Sequence, residues 1–216
     1  MQTSATKTVE NFFSKYTLRR FKKGQVLILD GEGTDKVYYL VSGRVKVYDI
    51  SYRGDEIILN AFPPGTFFPV ALLVNKAPNR YIYEAESDIE VHQAPTADVK
   101  ALLHEKPEVV YLLLSQQYTR LDDILGRMSH LMASSAKRRL IYELLLECRY
   151  YGKLEPGGKH VLMITEKDIG ARAGLSRETV SREINKLKRE KLVGVDHNII
   201  TILNMAELEW RLAHIA

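Results

Sequence analysis

The spacing of apolar positions changes character along the chain. Between residues 19 and 94 the apolar runs are short: V-L-I-L, V-Y-Y-L-V, V-K-V-Y-D-I, I-I-L-N-A-F, Y-I-Y-E-A and I-E-V-H. Turn-forming clusters separate them, at K-K-G-Q (22–25), D-G-E-G (30–33), S-G-R (42–44), Y-R-G-D (52–55), P-P-G-T (63–66) and K-A-P-N (76–79). Turn signals about every ten residues predict an antiparallel sandwich or barrel. Val45, Val47 and Asp49 alternate with Lys46, Tyr48 and Ile50, which predicts a half-buried strand.

Helical spacing then takes over. Residues 96–104 predict a short helix, and Pro107 opens a long one. Val110, Leu114, Gln117, Leu121, Ile124, Met128 and Leu131 are separated by alternating steps of four and three, a heptad seam. A second apolar stripe (Leu113, Leu125, Met132) is expected to pack on the barrel. A helix apolar on two sides needs two partners, so the seam predicts a homodimer; packing wholly within one chain is the competing reading. Residues 136–151 predict another amphipathic helix ended by Gly152, with a loop at 154–159 and a strand at 160–164.

Residues 165–192 read as two short helices broken at Gly174-Leu175-Ser176. Thr165 can cap the first helix, with Glu166 and Asp168 in its first turn, and Ser176 can cap the second. A glycine suits an abrupt helix stop. Ile169, Ala173, Leu175, Val180, Ile184 and Leu187 fall where a helix-turn-helix buries its seam. That leaves Arg177, Glu178, Ser181 and Arg182 outward at the start of the second helix, the end that reaches base edges in a DNA-reading helix. Residues 192–203 predict a hairpin turning at 196–198, a wing, and a last helix covers about 205–214.

Charge agrees with this division. Net charge is +4, yet residues 1–135 hold 16 Lys+Arg and 16 Asp+Glu, so the excess lies beyond them. Phosphate neutralisation supplies most non-specific DNA affinity, so a basic C-terminal third fits a DNA-binding end. Apolar content is 45% in 216 residues, enough for two small cores. No apolar stretch suggests a membrane span or a signal peptide, and the single cysteine, Cys148, excludes an internal disulfide; the cytoplasm is expected.

The order of glycine-punctuated roll, long helix and winged helix with G-L-S-R-E-T-V-S-R (174–182) resembles the Crp/Fnr family of bacterial transcription factors, over about residues 15–203. The resemblance implies an α+β protein: an antiparallel β-roll like a cyclic-nucleotide-binding domain over 1–104, a dimerisation helix over 105–135, and a winged helix-turn-helix over 136–216. In the cyclic-AMP branch the recognition helix begins Ser-Arg-Glu-Thr-Val-Gly-Arg; this chain differs only in Ser181. The match implies that Arg177 and Arg182 read guanines and that Glu178 accepts from a cytosine amino group. A phosphate contact for Arg182 and a capping role for Glu178 are the alternatives. Thr165 and Lys188 complete the expected DNA-contacting set. The implied partners are palindromic duplex DNA with TGTGA-like half-sites, a second copy of the chain, and RNA polymerase.

The sensing cassette departs from the family. Pro69-Val70 stands where the cyclic-nucleotide branch has Gly-Glu, and Tyr81-Ile82 replaces Ser/Thr-Ala after the retained Arg80. The positions that meet adenine in that branch align with Ile124 and Leu125. A buried ribose hydroxyl without an acceptor loses roughly 1–3 kcal/mol, so tight cyclic-AMP binding is not expected. The expected effector region comprises Arg80, Tyr81, Phe68, Val70, Ile124 and Leu125, with the small molecule unidentified. It suits either an anionic ligand with an apolar body or a filled core with Arg80 in an internal salt bridge. No metal or cofactor is expected, since the histidines lack ligand spacing and the iron-sulfur cysteine cluster is missing; a haem, which needs only one or two axial ligands, stays open on sequence alone. A cupin-type enzyme would need a facial set of strand ligands, and only His92 is available. A regulatory module acting on a protein partner is the remaining alternative, against which Arg177 with Arg182 argues.

Overall fold

The computed structural model describes residues 2–52, 54, 56–74, 79–197 and 199–214. The turns expected at 52–55 and 76–79, and residue 198 of the wing, fall wholly or partly outside them. The chain forms two compact units, Met1–Arg120 and Leu121–Ala216.

The first unit begins with helix α1 (Gln2–Phe13), followed by β1 (Leu18–Phe21), β2 (Val26–Ile28), β3 (Lys36–Ser42), β4 (Val45–Ile50), β5 (Glu56–Phe62) and β6 (Phe67–Phe68). A single-turn helix α2 (Ala71–Val74), β7 (Ile82–Ala85), β8 (Ile89–Pro95) and α3 (Thr96–Glu105) complete it before the long helix α4 (Pro107–Ala133). The strands make two antiparallel four-stranded sheets, ordered β1-β8-β3-β6 and β2-β7-β4-β5. Between the sheets lie Leu40, Val45, Val47, Phe62, Phe68, Tyr83 and Val91. A second cluster packs Val9 and Phe13 of α1, Val99 and Leu102 of α3, and Val109 and Leu113 of α4 against Val37, Tyr39 and Phe67. Strand β3 is therefore covered on both faces, which is why V-Y-Y-L does not alternate with polar residues. Burying a ring such as Phe13 or Phe68 contributes about 1.5–3 kcal/mol.

The half-buried alternation expected for β4 holds only through Val47. Pairing with β5 shifts register between Val47 and Tyr48. Tyr48 is nonetheless buried: its hydroxyl donates to Glu84 of β7 at 3.0 Å and Lys46 Nζ lies 4.5 Å over its ring, while Asp49 and Ile50 are exposed.

The second unit contains the end of α4, then α5 (Ala136–Tyr151), β9 (Lys153–Glu155), β10 (Lys159–Met163), α6 (Glu166–Ala173), α7 (Arg177–Arg189), β11 (Val193–Asp196), β12 (Ile199–Ile202) and α8 (Met205–His214). Its sheet runs β11-β12-β10-β9. The stretch 154–159, expected to be a loop, instead contributes residues of β9 and opens β10: Leu154 pairs with His160 and Glu155 with Lys159 across the turn. Leu140, Ile141 and Leu144 of α5 meet Ile169, Val180, Ile184, Leu187, Ile200 and Ile202 in one core. Arg172 of α6 donates to Glu147 of α5 at 2.8 Å with both side chains 4% exposed, so the fixing of α6 includes a buried ion pair.

A candidate nucleic-acid interface

The recognition motif is built by three local devices. Thr165 Oγ1 accepts from the Asp168 amide at 3.1 Å and donates to the Asp168 carboxylate at 2.6 Å, closing the start of α6. Gly174 ends α6 with φ +61°, a left-handed conformation that costs a glycine little. Ser176 Oγ then accepts from the Thr179 amide at 3.2 Å and starts α7. Arg139 of α5 donates to the Gly174 carbonyl at 3.2 Å, so the turn is tied to the helix beneath it. At the other end of α7, Glu190 receives Lys137 of α5 at 3.1 Å and Arg211 of α8.

With the apolar side of α7 buried, Arg177, Glu178 and Arg182 are exposed and Ser181 is partly exposed. They line an open depression of about 410 Å³ together with Glu166. The expected reading face is thus assembled in one place, with Thr165 beside it in sequence and Lys188 exposed in the last turn of α7. The Glu178 carboxyl is held below its ordinary range by its own backbone N–H and by the Ser176 hydroxyl. Two acidic residues, one on this face and one beneath it, are not predicted from the sequence. Glu166 reads there only as a first-turn acid of α6. Glu183, buried on α7, accepts from Lys186 Nζ at 2.9 Å and Arg182 Nε at 3.4 Å. The available signal for Glu183 is its place beside Ile184 and one turn from Val180 and Leu187, on the buried side where an apolar residue is expected. Strands β11 and β12 form the wing, whose tip carries an exposed His197 with φ +53°.

The long helix α4 presents a broader apolar face than the expected seam. Tyr111, Leu114, Tyr118, Leu121, Leu125, Met128 and Met132 are all at least half exposed. Leu114, Leu121 and Met128 belong to the seam; Val110, Gln117 and Ile124 are half-buried, and Leu131 is exposed. Of the stripe expected to pack on the barrel only Leu113 is buried; Leu125 and Met132 instead share the exposed face. The end of α4 is braced against α5. Arg127 donates to both oxygens of the buried Glu143 at 2.5 and 3.1 Å. Asp123 receives Arg149 at 2.8 Å and the Tyr150 hydroxyl, and its carbonyl receives the Tyr142 hydroxyl at 3.0 Å. Gly126 makes room for that hydroxyl, into which a Cβ at this position would run.

In the roll, Phe68 is fully buried and stacks with Tyr38, Phe62 and Tyr83 at centroid distances of 5.7, 5.1 and 5.6 Å. The Arg120 guanidinium lies 4.5 Å over the Phe62 ring. Burial pushes the Tyr83 hydroxyl up to about 12. Val70 is half-buried, and Arg80 and Tyr81 are exposed. Arg80 makes no ion pair with a described residue, so the internal salt bridge is not formed among them. The Cys148 thiol is buried and raised to about 12 by burial and by Glu147, which keeps it a thiol at neutral pH. Among the described residues no group of three or more His, Cys, Asp or Glu is placed to hold a metal ion, and no helix is long and apolar enough to cross a membrane.

A winged helix-turn-helix with a basic reading helix, joined to an antiparallel roll, defines a DNA-binding transcription regulator rather than an enzyme. Sequence comparison gives the same class. A cyclic nucleotide-binding domain model matches residues 18–106, and a Crp-like helix-turn-helix domain model matches residues 138–210. The chain is 29% identical to the cAMP-activated global transcriptional regulator CRP of Pasteurella multocida, over 94% of this chain and 98% of that protein. It is 26% identical to the global nitrogen regulator of Synechococcus elongatus, over 88% and 87%. Among solved structures, a CRP/FNR-family transcriptional regulator from Thermus thermophilus superposes with a TM-score of 0.75 at 25% identity, covering 93% of this chain and all of that one. FixK2 from Bradyrhizobium japonicum gives 0.78 at 25% identity, covering 93% and 99%. The chain belongs to the Crp/Fnr family of transcription regulators.

Proposed function

We propose that the protein acts in the cytoplasm as a homodimer that reads palindromic DNA, and that a cyclic nucleotide does not control it. The observation that carries the reading is the depression where Arg177, Glu178, Ser181 and Arg182 converge at the capped start of α7. Arginine can pair bidentately with guanine O6 and N7, and a carboxylate can accept from a cytosine amino group. Two recognition helices related by a two-fold axis present themselves to major grooves about one helical turn apart, so the site is an inverted repeat with TGTGA-like half-sites. Thr165 and Lys188 contact the flanking backbone, and RNA polymerase is the partner through which binding alters transcription. In this reading residues 1–104 are the sensor roll, 105–135 the dimer helix and 136–216 the DNA-binding domain.

The exposed face of α4 supports dimerisation. Tyr111, Tyr118, Leu125 and Met132 widen the heptad seam into the a, d and e pattern of a packed helix face. At the cyclic-nucleotide contact positions Val70, Ile124 and Leu125 carry no hydrogen-bonding group, and the bulky Tyr81 replaces the small hydroxyl residue of the family cassette. The stacked rings around Phe68 support a roll interior filled by its own side chains. Any effector is then a different, anionic molecule near the exposed Arg80, or none is needed.

Selection of bound duplexes from a random pool, with purified protein and no added ligand, tests the DNA reading. Inverted repeats with guanine in each half-site are expected. Arg182→Ala is expected to lose about 1–3 kcal/mol of discrimination at one guanine. Equal weakening on selected and random DNA would overturn the base-reading role.

A further inference from the structure

Of the two carboxylates inside α7, Glu178 is exposed and Glu183 is buried. The Glu183 side chain is only 6% exposed, whereas those of Arg182 and Lys186 are 65% and 43% exposed. A single oxygen, Oε1, accepts from both: from Lys186 Nζ at 2.9 Å and from Arg182 Nε at 3.4 Å. Lys137 of α5 feels the same charge. Burial raises the Glu183 carboxyl, but Lys186 and Arg182 outweigh it, and the group lies below its ordinary range.

Position 183 adjoins Ile184 in the core-facing side of α7, where an apolar residue would serve stability as well or better. A buried charge that breaks the local apolar pattern points to a role beyond packing. The pairing has a particular geometry. An arginine fork carries one N–H on Nε and four on the two terminal nitrogens. Glu183 occupies Nε alone. Among the described residues the terminal nitrogens of Arg182 have no partner, and these are the nitrogens that fit guanine O6 and N7.

We propose that Glu183 is a positioning residue for base readout: by holding Nε of Arg182 it aims the two terminal nitrogens at a guanine edge. The same oxygen steers Lys186 along the face of α7. A long, mobile side chain loses rotamer freedom when it is fixed on a ligand, and Glu183 removes part of that freedom before DNA arrives. The proposal rests on the reading of Arg182 as a base contact.

The test uses full-length protein and the tightest duplex recovered from the random selection, with each G·C pair of a half-site replaced in turn by A·T. Arg182→Ala first identifies the pair that Arg182 reads. Glu183→Gln is then expected to lower discrimination at that pair at least about five-fold, with discrimination elsewhere unchanged. In the Arg182→Ala background the same change is expected to add nothing. Glu183→Leu, which fills the buried position with an apolar group, is expected to unfold at a temperature no lower than the parent yet to show the same loss. A merely structural carboxylate would not separate stability from discrimination in this way. A uniform loss of affinity on all duplexes, or a loss that persists without Arg182, would overturn the role of Glu183 while leaving Arg182 in place. If Arg182→Ala removes no base preference, or no preferred duplex is recovered, the base contact itself fails and Glu183 falls with it.

Discussion

His130 shows how one side chain at the end of α4 makes the second unit sensitive to acid. Its ring centroid lies 4.5 Å from that of Tyr142, the two planes tilted at 42°, and Nδ1 lies 2.8 Å from Ser134 Oγ. Burial, and then the neighbouring Arg138, lower its pKa below the ordinary 6.5. The folded state therefore prefers the neutral ring, while the unfolded chain protonates at about 6.5. Stability from this residue is fully present above that value. It falls as pH drops from about 6.5 through the lower folded value, because the unfolded state binds the proton first. Thermal unfolding of the wild type between pH 7.5 and 5 is expected to show a steeper acid loss than His130→Gln, which has nothing to titrate there. Parallel curves would remove His130 from the acid response. At this scale the sequence was legible where a residue's role is local. Thr165, Ser176 and Gly174 act within three residues of themselves, and their caps and left-handed turn follow from residue type. Glu183 was not legible, because its meaning depends on burial, and burial is set by helices far away in sequence.

Among the elements, α4 carries the most consequence. Its heptad steps marked the seam, but which apolar positions stay uncovered depends on which turn of the helix the rest of the fold approaches. Leu113 is taken up by the roll core, while Leu125 and Met132 remain outside with Leu121 and Met128. We predict that Leu121→Glu with Met128→Glu places like charges across the two-fold axis and yields monomers by sedimentation. Both positions are at least half exposed in one chain, so the monomer is expected to keep its helical circular-dichroism signal. A double variant that still sediments as a dimer would move the interface elsewhere. The elements missed in sequence share one property: their evidence is weak unless the neighbour is known. Helix α1 has its apolar residues Ala5, Val9 and Phe13 at steps of four, a pattern one side of a short polar stretch can hide. The residues of β9 are exposed, and β1, L-R-R-F, is mostly exposed and lies at a sheet edge, so neither carries alternation. The register shift between β4 and β5, where β5 carries the extra residue Leu59, is likewise set by strand pairing.

For the molecule as a whole, the unlike distribution of charge and the unlike quality of the two signals lead to the same division of labour. The recognition helix nearly matches its family, because reading a base edge demands particular side chains at particular steps. The roll has the expected sheets, but its sequence departs from the cyclic-nucleotide cassette at Pro69-Val70 and Tyr81-Ile82 while keeping Arg80; a fold constrains the shape of a pocket far more than its chemistry. That is why the class of protein was legible and the effector was not. The divergence has a measurable consequence. A ligand can bias a two-state regulator only by its differential affinity for the two states. On the proposed reading, Val70 in place of the ribose-binding glutamate and the bulky Tyr81 in place of the small hydroxyl residue leave cyclic AMP little from which such a difference can arise. Calorimetry with cyclic AMP and cyclic GMP is therefore expected to detect no tight binding. DNA affinity measured with and without either nucleotide is expected to change by much less than tenfold, or about 1.4 kcal/mol of coupling. A micromolar dissociation constant together with a tenfold gain in DNA affinity would show that the roll has built a new nucleotide site from other residues. In that case Arg80→Ala, which removes the one retained phosphate-binding cation, would decide whether the nucleotide lies in the family's position.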